Sequence, residues 1–154
     1  MTQLSEHFTL EEATYSETAK KLNIDNQPST VQLENMKHAA ASMEQVRALL
    51  GKPIGVSSWL RLPAVNVAVG GSEKSAHMDG FAIDFTCPGV GVPLEVARKI
   101  AASDIKYDQM IHEYGRWVHI SFDPALRKQQ LTIFKPESKY KPGLLSEAEY
   151  HAHA

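Results

Sequence analysis

Two short runs of this chain alternate strictly, and each sets one ligand-type side chain on the face opposite its large apolar residues. In the first, Phe81, Ile83 and Phe85 alternate with Ala82, Asp84 and Thr86; in the second, Val118, Ile120 and Phe122 alternate with Trp117, His119 and Ser121. A period of two marks a half-buried strand whose apolar face meets a core. Pairing of the two strands would bring Asp84 and His119 together on one open face. His77 lies just upstream. Gly80, between His77 and the first strand, suits a chain that must take positive φ or pass close to other backbone, which would fold His77 back over Asp84.

Two imidazoles and one carboxylate form a familiar donor set. Zinc that does chemistry takes three protein ligands and leaves a fourth position to water, and His77, Asp84 and His119 would supply three ligands for one zinc ion. They do so from strands and a loop, not from the helical His-Glu-x-x-His arrangement in which two ligands share one face. Imidazole and carboxylate donors also accept cobalt, nickel or manganese. Cys87 is the single cysteine, so no intramolecular disulfide can form. It falls on the Phe85 side of the alternation and reads as a small buried hydrophobe. Ser75 and Ser121 are candidates to accept from the remaining imidazole nitrogens.

Composition sets limits around this site. A chain of 154 residues, 43% of them hydrophobic, is large enough for one domain with its own core. A net charge of −2 argues against a nucleic-acid binder that works by broad phosphate neutralisation. No apolar run approaches the roughly 20 residues of a membrane span, so no membrane insertion is expected. The N-terminus lacks the basic-then-apolar pattern of an export signal, which points to a protein made and held in the cytosol.

The remaining pattern reads as helices first and strands around the site. Thr9 with Glu12 forms a capping box for a helix to about Leu22, and Ser29 with Gln32 a second for a long helix striped by Val31, Met36, Ala40, Met43, Val46 and Leu50. Gly51 and Pro53 stop it. A strand over 54–58, a helical turn over 63–69, a helix over 93–102 and strands over 107–113, 117–122 and 130–134 follow. Short connections make neighbouring strands antiparallel by default. The expected fold is α+β, with helices packed on one face of a mostly antiparallel sheet and the ligands on the other. Residues 1–135 form the expected single domain. Residues 136–154, broken by Pro136, Pro142 and Gly143, read as a polar, solvated tail whose His151 and His153 build no site.

These residues resemble a family of zinc peptidases that cut bacterial cell-wall peptides, including D-alanyl-D-alanine carboxypeptidases and phage L-alanyl-D-glutamate endopeptidases. Its signature, Ser-x-His-x-x-Gly-x-Ala-x-Asp followed by Trp-x-His, matches Ser75, His77, Gly80, Ala82, Asp84, Trp117 and His119. An upstream element matches Ser57, Arg61, Pro63 and Asn66, and the opening from His7 to Glu12 is similar to that of phage members. The resemblance covers about residues 5–122. It implies a hedgehog/D-Ala-D-Ala peptidase-like fold and a zinc site of His77, Asp84 and His119. It also implies Glu113 as general base and Arg61 as the cation that steadies an oxyanion or a substrate carboxylate. In several branches the acid stands three residues before the second His, where this chain has Arg116. Glu113 stands six before it and would return to the site through a tight Tyr114-Gly115-Arg116 turn, with His112 the competing candidate. Ser57, Ser75, Trp117 and His112 are the further residues expected to contact substrate or support the ligands.

The expected activity is hydrolysis of an amide bond in peptidoglycan stem peptides by a monomeric phage or prophage endolysin, held in the host cytoplasm until another protein opens the membrane. Carboxypeptidase and crosslink endopeptidase activities would use the same residues. The contrasting reading is a non-catalytic module that keeps zinc for stability, as related hedgehog domains suggest. His7 and His38 read as surface or packing residues, and Asp79, beside Gly80, as a turn residue. Asp108 is the other carboxylate that could be mistaken for a ligand.

Overall fold

The computed structural model describes residues 2–153, so only the outermost residue of the expected domain and of the expected tail lies outside it. Helix α1 spans Leu10–Thr14 behind the Thr9/Glu12 capping box, and α2 spans Glu17–Leu22. A single helix to Leu22 was expected. The break comes at Ser16, whose backbone is extended and whose Oγ accepts from the Ala19 N–H at 3.1 Å, opening a new helix. Helix α3, Thr30–Leu50, has the Ser29/Gln32 box at its start and Gly51 in the left-handed region at its end. Met36, Ala39, Ala40, Met43, Val46 and Leu50 are buried, whereas Val31 in the first turn is exposed and leaves the stripe.

Strand β1, Gly55–Ser58, is followed by α4, Pro63–Ala68, a 3₁₀ turn over Ala76–Met78, and β2, Ala82–Thr86. Then come α5, Pro93–Ala101, β3, Gln109–Glu113, β4, Trp117–Ser121, β5, Gln129–Ile133, β6, Lys141–Pro142, and α6, Glu147–Ala152. The sheet order is β1-β2-β4-β3-β5-β6. Every pairing is antiparallel except β3 with β5, which is parallel. The exception has a simple cause. β4 already has β2 and β3 on its two edges, so the chain reversing after β4 must cross to the far edge of β3, and a strand antiparallel to β4 is then parallel to β3.

Alternation divides the sheet into two faces. Ile83, Phe85, Met110, Val118 and Ile120 join Met36, Met43, Val96 and Ile100 of α3 and α5 in one buried cluster. Fully burying each large apolar side chain contributes about 1.5–3 kcal/mol, which locks strand register, because a one-residue slip would turn every core side chain outward. Cys87 lies in the same cluster.

Residues beyond 135 are not a solvated tail. β6 pairs with β5, α6 carries its own Ser146/Glu149 capping box, and Tyr150 is fully buried with its ring 5.5 Å from that of Phe134. The polar sequence hid this because its buried ammonium, Lys141, is satisfied by carbonyls at 2.7 Å from Tyr150 and His153 and by Glu137 at 3.0 Å.

Candidate active site

The register of β2, β3 and β4 assembles the site. Asp84 pairs with His119 and His119 with Ile111, while Glu113 pairs with Trp117 two residues further along the same face. Asp84, His119, Glu113 and Trp117 therefore stand side by side on the face opposite the core. His77 arrives from the 3₁₀ turn. Gly80 brings it there with φ 87°, and a Cβ at Gly80 would lie 2.7 Å from Met36 Cγ, so positive φ and close approach both apply. The Trp59 indole N–H donates to the Gly80 carbonyl at 2.9 Å and anchors the turn.

The three ligand-type residues are buried, and one ligand atom from each lies within 4.8 Å of the others. His77 Nδ1–H donates to the Trp59 carbonyl at 2.6 Å. Burial holds the His77 imidazole below its ordinary pKa despite the Asp84 charge. With Nδ1–H on the Trp59 carbonyl, Nε2 is the ring atom turned toward Asp84 Oδ1, at 3.1 Å. An imidazole nitrogen and a carboxylate oxygen this close either share a proton or hold a metal ion between them. His119 Nδ1 lies 3.0 Å from the same carboxylate oxygen. Burial alone would raise the Asp84 carboxyl, but the charges and hydrogen bonds of the two imidazoles outweigh it and hold the group well below the usual range. Burial depresses His119, and the Asp84 hydrogen bond and the charges of Asp84 and Glu113 override that, leaving it raised.

Glu113 reaches the same place through the expected turn. Tyr114 and Gly115 are both left-handed, and Arg116 N–H donates to the Glu113 carbonyl at 3.0 Å. Glu113 Oε1 accepts from Trp117 Nε1–H at 3.0 Å and lies 3.9 Å from His119 Nδ1. Burial, then the Asp84 charge, raise its pKa above the ordinary glutamate value. Arg61 lines the groove from the other wall. Its backbone N–H donates to the His77 carbonyl at 3.0 Å, its Nη2 reaches Ser75 Oγ at 3.4 Å, and its Nε is buried without an acceptor.

Other expected residues are sorted by the same geometry. Ser75 Oγ accepts from the His77 N–H and supports the turn, and Ser57 Oγ donates to the Asp84 carbonyl at 3.2 Å. Both act on the backbone of ligand residues. Ser121 and Trp117 line the groove. His112 does not join them. One residue from Glu113 on a strand, it faces the opposite side, where it lies 5.4 Å from the Phe134 ring and its Nδ1–H donates to the Leu145 carbonyl at 2.9 Å. His7 pairs with Glu44, and His38 stands edge-on to Phe81. Asp79 is exposed, and Asp108 is held by Arg127.

The open face forms a groove of about 490 Å³. Tyr114, Trp117 and Tyr140 stand at one end, Asp108, Asp123 and Arg127 at the other. Asp123 was missed in the sequence although it continues the phase of Trp117, His119 and Ser121. Tyr140 carried no local signal.

The chain belongs to the Peptidase M15 family, whose model matches residues 6–121. That membership supports a metallopeptidase of α+β architecture, and the His77, Asp84 and His119 cluster could hold its metal ion. No curated protein matches the chain.

Proposed function

We propose that the protein is a zinc-dependent peptidoglycan hydrolase that cuts an amide bond within cell-wall stem peptides, acting as a phage or prophage endolysin. The observation that carries this reading is that Glu113 and Arg61 line one groove with Asp84 and His119, which form a cluster with the buried His77. Neither Glu113 nor Arg61 is needed to hold a metal, and both are needed for acyl transfer. A structural zinc site closes with a fourth protein ligand; among the described residues no fourth joins this cluster, which favours the enzyme over the zinc-stabilised module.

His77, Asp84 and His119 would hold the ion, and zinc bound there lowers the pKa of water and polarises a carbonyl. Glu113 accepts the proton of the attacking water and returns it to the leaving amine. Its raised pKa brings it nearer neutrality, where such transfer is most effective, and the Trp117 indole fixes the carboxylate that does it. Arg61 places a fixed positive charge beside the carbonyl oxygen as negative charge develops there. Trp59 holds His77 in one tautomer throughout.

The choice of an endopeptidase over a carboxypeptidase rests on similarity to phage members in the opening from His7 to Glu12. The same similarity favours accumulation in the host cytoplasm before release. The test is mass spectrometry of purified peptidoglycan digested with zinc-loaded protein beside a chelated control. Internal cleavage yields peptides with new amino and carboxyl termini, release of free D-alanine would move the reading to a carboxypeptidase, and intact peptidoglycan would overturn it.

A further inference from the structure

The segment after residue 135 lies beyond the stretch that matches the family, yet it delivers a side chain to the groove. Tyr140 lines it together with Glu113, Tyr114 and Trp117. Half of Tyr140 is exposed, and among the described residues its ring stacks on no other and its hydroxyl has no hydrogen-bond partner. Both neighbours in sequence are tied down. Tyr150 Oη–H donates to the Lys139 carbonyl at 2.7 Å and accepts from the Lys139 N–H at 3.3 Å. Lys141 Nζ is buried against the Tyr150 ring, 4.1 Å from its centre, and donates to Glu137 and to the Tyr150 and His153 carbonyls. Lys141 opens β6 and is buried, while Tyr140, the residue before it, lines the groove.

Resting on the peptidase reading, we propose that Tyr140 is a substrate-contact residue whose hydroxyl donates a hydrogen bond to the bound peptide at the Glu113 end of the groove, with Lys141 as its positioning residue. Burial, and after it the charges of Glu113, Tyr114 and Asp84, push the Tyr140 hydroxyl up, so it stays protonated and available to donate. The lack of a protein partner leaves that donor free for a ligand carbonyl or carboxylate. A half-exposed ring fixed on both sides adds contact area at little further loss of conformational freedom.

The experiment compares wild type, Tyr140→Phe, Tyr140→Ala and Lys141→Met on a soluble stem peptide, with zinc content and Tm measured for each. Binding of the uncut peptide to Glu113→Ala is measured alongside. Tyr140→Phe should raise KM about tenfold, the size of one lost hydrogen bond, with kcat, zinc content and Tm close to wild type. Tyr140→Ala should raise KM further, and Lys141→Met, if it folds, should follow it. Wild-type KM in both Tyr140 variants, with turnover intact, would overturn the inference and leave the peptidase reading standing. No turnover by wild type and no peptide bound by Glu113→Ala would overturn both. Should Lys141→Met fail to fold, Tyr140→Phe decides alone.

Discussion

Asp84 and Asp108 are buried carboxylates that line the same groove, and both are held below the ordinary aspartate range. Their partners differ. Arg127 grips Asp108 on both oxygens, with Nε–H donating to Oδ1 and Nη2–H to Oδ2 at 2.9 Å each and its backbone N–H adding a third bond to Oδ1 at 3.1 Å. That carboxylate meets a permanent cation and needs nothing further. Asp84 meets only two imidazoles, with His77 Nε2 at 3.1 Å and His119 Nδ1 at 3.0 Å. Burial and depressed pKa therefore do not distinguish a ligand from a strut; the chemistry of the partner does. A guanidinium is a permanent cation that completes a charge pair, whereas imidazoles can give up their protons to a metal ion.

Substitution at the two positions should break this symmetry. Asp84→Asn should remove zinc and reduce turnover to background, the largest effect expected, read by elemental analysis and peptide release. Glu113→Gln should lower kcat by about 10²–10⁴-fold while zinc stays bound; equal activity would remove Glu113 as the base. Arg61→Ala should cost about 10²–10³-fold in kcat, the range for loss of an oxyanion donor. Asp108→Asn should keep its zinc and lose about 1 kcal/mol of stability, since Arg127 is more than half exposed and its pair is screened by solvent. Urea unfolding measures this. The folded pKa of Asp108 is depressed, so its contribution is complete above the ordinary value of 3.8 and is lost as pH falls through the folded one. Wild type and Asp108→Asn should converge there.

Proton competition sharpens the contrast further. His119 has a raised pKa, and zinc binding must displace its proton, so zinc affinity should weaken as pH falls through that raised value. The metal-free protein should behave in the opposite sense. A raised folded pKa gives stability that is full below the ordinary histidine value and is lost as pH rises through the folded one. A turnover profile whose acid limb lies at the ordinary glutamate value would contradict the burial of Glu113.

Much of this was legible in sequence because strand alternation is a strict code. The apolar partners of Asp84 and His119 fixed which way each ligand points, and two capping boxes located the starts of α1 and α3. The same code should have removed His112, since it is adjacent to Glu113 and an adjacent strand residue faces the other way. It should also have added Asp123. The parallel β5 was not legible, because strand order depends on which edges are already occupied, a property of the whole sheet. Nor were β6 and α6. They are held by the buried Tyr150 and by Lys141, whose ammonium donates to the Tyr150 and His153 carbonyls, and a lysine among prolines and polar residues looks like solvent-exposed chain. Tyr140 was lost with them.

The most direct measurement is the zinc content of purified wild type, Asp84→Asn and Asp108→Asn, each checked for folding by circular dichroism. One zinc per chain in wild type and Asp108→Asn, and none in folded Asp84→Asn, is the expected result. Zinc retained at full stoichiometry by Asp84→Asn, or lost from a folded Asp108→Asn, would contradict the assignment of Asp84 as ligand and Asp108 as strut.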